Sequence, residues 1–90
     1  MYGFERSEKL KKILKKIFKK DKVRYEAALR KINEILNSED PDHYKNLRYN
    51  MKEFKRVHID SHFVLIFKIN KTEKTIKFYD LQHHDTIYGC

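Results

Sequence analysis

The sequence predicts an α+β fold, in which an N-terminal αα-hairpin packs on a small antiparallel β-sheet of three to four strands. Three observations predict it. Apolar residues recur at helical spacing from Leu10 to Leu36, the period drops to two beyond Lys55, and 2 Gly and 1 Pro leave room only for short connections. Ninety residues suit one domain around one core, expected to occupy 1–90.

Met1 to Glu5 are read as an edge strand that would bring the sheet to four. From about Ser7 to Lys20, Leu10, Ile13, Leu14, Ile17 and Phe18 fall on one stripe of a helix, with lysines on its other faces. Ser7 is placed to cap it. Asp21 opens a second helix to about Leu36, whose stripe is Tyr25, Ala28, Leu29, Ile32, Ile35 and Leu36. The turn Asp40-Pro41-Asp42 follows it. So short a link between two stripes predicts an antiparallel pair spanning about 7–36.

The sheet is expected over about 52–82. Lys55 to Asp60 alternates, with Val57 and Ile59 on one face and Arg56, His58 and Asp60 on the other. Phe63 to Ile69 is apolar on both faces, which marks a central strand. Asn70 to Lys74 is a polar hairpin loop, and Thr75 to Leu81 is the last strand. Strands joined this closely are antiparallel neighbours. Val57, Ile59, Ile76 and Phe78 would meet the helical stripes in the core, which leaves Arg56 and His58 on the face where function is sought.

The chain carries 21 Lys+Arg against 13 Asp+Glu, a net charge of +8, which favours a polyanionic partner. Hydrophobic residues make up 40%, with 6 Phe and 6 Tyr, so the high charge does not imply disorder. The single cysteine, Cys90, cannot form a disulfide within the chain, which fits a reducing, intracellular setting. No apolar run approaches the ~20 residues that span a bilayer, and no secretory signal is recognised, so a soluble, cytoplasmic protein without membrane contact is expected.

Three groups of residues could carry chemistry. Lys52, Lys55, Arg56 and His58 lie at or in the first strand of the sheet's second-half run. His62 sits at the turn into the central strand. The run Gln82-His83-His84-Asp85-Thr86-Ile87-Tyr88 follows the last strand, with its core at 83–88. Histidine, with an ordinary pKa of about 6.5, serves as acid or base near neutrality. Beside cations that hold a phosphate, such a set can cleave RNA through its own 2′-hydroxyl, with no metal or other cofactor. The rival use of His58, His62, His83, His84 and Asp85 is a zinc or iron site. Against it, adjacent histidines point to opposite sides of a continuing strand, and no HExxH spacing occurs. Gly-rich phosphate loops and zinc-finger spacings are absent from the sequence.

The order of elements and the terminal run resemble the RelE/YafQ/YoeB group of toxins from type II toxin–antitoxin pairs, over nearly the whole chain. That group often ends in His-Arg-x-x-x-Tyr, which His83-His84-Asp85-Thr86-Ile87-Tyr88 resembles with His84 in the arginine's place. Arg56-Val57-His58 looks like its basic pair on the strand, and Lys52 and Lys55 like its lysine-rich approach. Val64 stands where many members carry an arginine. The resemblance implies a RelE-like fold and a metal-independent mRNA endoribonuclease acting on the ribosome. It would have His84, His83 or His58 as acid and base, and Tyr88 to orient or stack on a base. Lys52, Lys55 and Arg56 would be the phosphate and RNA ligands, and the helix lysines would anchor on ribosomal RNA. It also implies a small acidic antitoxin as partner. A gyrase inhibitor on the same scaffold, like the ParE relatives, and a plain RNA-binding module are the other readings.

Overall fold

The computed structural model describes residues 2–46 and 53–88, with side chains as far as residue 86. The chain begins with β1 (Gly3–Arg6) and turns at Ser7 into α1 (Glu8–Lys20). Ser7 caps that helix as expected, its hydroxyl oxygen accepting from Leu10 N–H at 3.0 Å while the hydroxyl donates to the Tyr79 carbonyl at 2.6 Å. One side chain thus joins the first helix to the last strand. Asp21 both ends α1 and caps α2 (Lys22–Leu36), accepting from Arg24 N–H at 3.1 Å. A single shared residue between two helices leaves them no choice but to fold back on each other.

A 3-10 turn, Pro41–His43, starts the return to the sheet, which comprises β2 (Lys55–His58), β3 (Phe63–Asn70) and β4 (Thr75–His83) in addition to β1. The strand order is β1-β4-β3-β2. β2, β3 and β4 are antiparallel neighbours, as read from their spacing, whereas β1 runs parallel to β4 from Gly3↔Thr75 to Arg6↔Phe78. The sheet is therefore mixed rather than wholly antiparallel. The reason is topological: β1 joins the strand most distant from it in sequence, and a pattern of apolar residues carries no direction.

Leu10, Leu14, Ala28, Ile32, Ile35 and Leu36 from the helices meet Leu65, Phe67, Ile76, Phe78 and Leu81 from the sheet. Those side chains shed water on burial, each large one contributing about 1.5–3 kcal/mol. Val57 and Ile59 pack at the margin of this core rather than within it. A second, smaller cluster lies on the opposite face of the sheet, where Val64 and Ile66 are covered by Phe54. Both faces of β3 are consequently apolar, as its sequence demands of a central strand.

A bulge lies opposite Ile66 and Phe67. Ile66 pairs with Asp80 and Phe67 with Phe78, so Tyr79 is the extra residue. The bulge resets the alternation of β4, so that Phe78 and Leu81, an odd step apart, both face the core. Within the described residues no helix is long and apolar enough to cross a membrane.

Candidate functional site

β4 continues two residues past its expected end at Leu81, and α3 (His84–Tyr88) begins at once. The boundary falls between the two adjacent histidines. His83 closes the strand opposite Phe63, and His84 opens the helix. The objection to joint action by these residues assumed a strand running through both, and the change of backbone removes it. His83 and His84 ring centroids are 5.8 Å apart, and His84 Nδ1 lies 2.9 Å from Asp85 Oδ1.

Four imidazoles form a continuous row across this end of the sheet. His58 meets His84 edge to face, with centroids 6.2 Å apart, and His62 stacks on His83 at 5.8 Å. His58 comes from the end of β2, two residues after Arg56 and on the same face. Between His58 and Gln82, the cross-strand neighbour in that row is Val64, fully buried. The floor of the site is therefore apolar, and Arg56 lies beside it on the same face.

The turn from β2 to β3 is held independently of these rings. Asp60 Oδ1 accepts from the N–H groups of His62 and Phe63, each at 2.8 Å, and Asp60 Oδ2 accepts from Arg24 Nε at 3.0 Å. Burial alone would raise the Asp60 pKa, but those backbone hydrogen bonds and the Arg24 guanidinium hold it below the ordinary carboxylate value. Arg24 also pairs with the helix cap Asp21 at 3.1 Å and lies 4.1 Å over the Phe63 ring. The His62 carbonyl then accepts from His84 N–H at 2.7 Å, which fixes where α3 starts. Composition and spacing gave no reason to select Arg24. Asp60 had a local signal in Asp60-Ser61-His62, a sequence suited to an Asx turn.

The other expected site residues are placed differently. Lys55 is only 7% exposed, and its ammonium points inward. It donates to the carbonyls of Asp42 and Tyr44, both at 3.0 Å, and to Asn46 Oδ1 at 2.8 Å, with Asp42 Oδ1 at 3.1 Å. This corrects its reading as a phosphate ligand: the charge is already committed to the connection between α2 and β2. Asp42 in turn pairs with Lys71 at 2.7 Å. Hydrogen bonds first from Lys71 and then from Lys55 lower the Asp42 pKa. Lys52 lies outside the described residues. Tyr88 ends α3, and its side chain is likewise not described. Lys12, Lys15, Lys16 and Lys19 line a shallow groove along α1.

A mixed four-stranded sheet with a helical hairpin on one face and a histidine row at one end defines a small basic α+β domain. Comparison with known proteins identifies the family. Residues 4–88 match the family described as ParE toxin of type II toxin-antitoxin system, parDE, and the chain belongs to that family, within the RelE/ParE superfamily of toxins. It is 49% identical over 88 residues to the Methanocaldococcus jannaschii protein named "Putative toxin RelE4", covering 98% of this chain and 92% of that one. The fold resembles the YoeB/ParE toxin from Agrobacterium tumefaciens, with a TM-score of 0.74 at 8% identity over 91% of this chain and 98% of that one. It also resembles a chain of the toxin–antitoxin complex RelBE2 from Mycobacterium tuberculosis, with a TM-score of 0.72 at 16% identity over 91% and 96% of the two chains.

Proposed function

We propose that this toxin is a metal-independent endoribonuclease that cuts mRNA on the ribosome and so halts translation. The observation that carries the reading is the pairing of His58 with His84 across 6.2 Å, with Arg56 on the same strand face as His58. Two imidazoles this close can serve the two ends of one phosphodiester. One takes the 2′-hydroxyl proton as that oxygen attacks phosphorus. The P–O5′ bond breaks, and the other gives its proton to the departing 5′-oxygen. The products are a 2′,3′-cyclic phosphate and a 5′-hydroxyl, with nothing oxidised or reduced. Arg56 would hold the charge that builds on the phosphoryl oxygens.

Asp85 stands against His84 and would steady its charged form, while His83, stacked by His62, would fix the ring's position. Tyr88 is assigned to stacking on a base, and Lys52 to backbone phosphates. The α1 lysines would anchor the domain on ribosomal RNA without reading sequence. A cognate antitoxin, acidic to match the +8 charge, would neutralise the toxin in the cytoplasm.

Induced expression should arrest growth and translation, co-expression of the antitoxin should restore growth, and His84→Ala with Tyr88→Ala should relieve the arrest. Undiminished arrest by that double variant would remove both residues from the mechanism. The second reading, a non-nucleolytic inhibitor of DNA gyrase, draws on the ParE family match and on Val64 at the floor of the site. It predicts DNA damage with mRNA left intact, which primer extension after induction distinguishes.

A further inference from the structure

We propose that His83, His84 and Asp85 form a binding site for a divalent ion of the zinc class, and that the bound ion switches the ribonuclease face off. The switch rests on the role given above to His84, whereas the site itself does not. The junction of β4 with α3 builds it: helical backbone beginning at His84 swings two side chains toward the one that ends the strand. One ligand atom from each of the three residues lies within 4.8 Å of the others. His83 Nδ1 is 3.6 Å from Asp85 Oδ2, and His84 Nδ1 is 2.9 Å from Asp85 Oδ1.

Those two separations bracket what the metal requires. Tetrahedral zinc with bonds of about 2.0–2.1 Å places neighbouring ligand atoms about 3.3 Å apart. Both imidazoles are 42% exposed and Asp85 is 76% exposed, so the Asp85 carboxylate can turn aside to admit an ion to His84 Nδ1, which is itself buried. Two nitrogens and a carboxylate suit zinc, nickel or copper, whereas magnesium and calcium prefer oxygen throughout.

His83 Nδ1 accepts from Asp85 N–H at 3.2 Å, so it is unprotonated, and its one lone pair must turn from that amide to the ion when the ion binds. Its ring is braced by His62 in a near-parallel stack with an interplanar angle of 17°. Three protein ligands leave a fourth position open to water. An ion held there takes the lone pair that His84 needs to move a proton, and it screens the face from His58. The toxin would therefore be quiet when the ion is abundant and active when it is scarce.

Calorimetric titration of the untagged full chain with zinc ion at neutral pH tests the site directly. One ion per chain should bind. Asp85→Asn and His83→Gln should each weaken binding at least tenfold, and His43→Gln, on the remote 3-10 turn, should leave it unchanged. Absence of saturable binding at micromolar zinc, or equal affinity in Asp85→Asn and the parent, would overturn the site. RNA cleavage should proceed in EDTA and fall over the same zinc range in which calorimetry records binding. Cleavage that requires zinc, or that continues at saturation, would overturn the switch. If neither condition gives cleavage, the nuclease reading fails while the calorimetry still decides the site.

Discussion

Replacing Lys55 with methionine would keep its aliphatic stem in place and delete only the ammonium. That group contacts Asp42 O and Tyr44 O at 3.0 Å, Asn46 Oδ1 at 2.8 Å and Asp42 Oδ1 at 3.1 Å. A hydrogen bond to a charged group contributes about 1.5–3 kcal/mol net. The contacts share three protons, and the 42–46 segment lies largely at the surface, so water repairs part of the loss. The expected cost is about 2–3 kcal/mol, below the ~3–5 kcal/mol of a deeply buried pair broken on one side. At about 4–8 °C per kcal/mol for a chain of this size, the melting temperature should fall by about 10–20 °C. Thermal and urea unfolding of both proteins measure this. A loss under about 0.5 kcal/mol would refute the clamp. So would unchanged stability joined to weakened RNA binding, which would restore Lys55 to the RNA face.

Ser7→Ala should cost about 1–2 kcal/mol, since it removes both the α1 cap and the bond to Tyr79, and urea midpoints will test it. Lys74, at φ 52 in the β3–β4 turn, sits in the left-handed region, so Lys74→Gly should raise stability by about 0.5–1 kcal/mol in the same assay. Asp60 has a lowered folded pKa, so its contribution to stability is present above the ordinary value of 3.8 and is lost as pH falls through the folded value. Asp60→Asn should therefore flatten the acid limb of a stability–pH curve below about pH 5 relative to the parent. The logarithm of RNA affinity should fall linearly with log salt, and neutralising Lys12, Lys15, Lys16 and Lys19 should make that slope shallower by about 0.7 per lost single-strand contact.

The helices and the three antiparallel strands were legible because the helices bury one continuous stripe each and the strands change the period to two, with β3 apolar on both faces. Ser7 and Asp21 marked their caps, and the apolar run from Phe63 marked the central strand. The direction of β1 was not legible, since its pairing with β4 depends on how the whole chain closes. Lys55 was misread for a related reason. In an alternating strand it looks like any charged residue, and only the returning segment at Asp42 to Asn46 turns its head inward. His58 and His84 could be chosen by type, and their proximity follows from β2 and β4 flanking β3. Asp60 was read only as one of the polar residues alternating with Val57 and Ile59, and Arg24 was not selected, because their joint hold on the turn that positions the site is a contact across 36 residues of sequence.

The central claim is that the His58–His84 face cleaves RNA, and mapping the ends of mRNA on programmed ribosomes treated with the purified toxin in EDTA tests it most directly. Fragments with 5′-hydroxyl and 2′,3′-cyclic phosphate ends are expected. These should disappear in His84→Gln and in His58→Gln while both variants melt like the parent. Intact mRNA, or equal cutting by either folded variant, would contradict it.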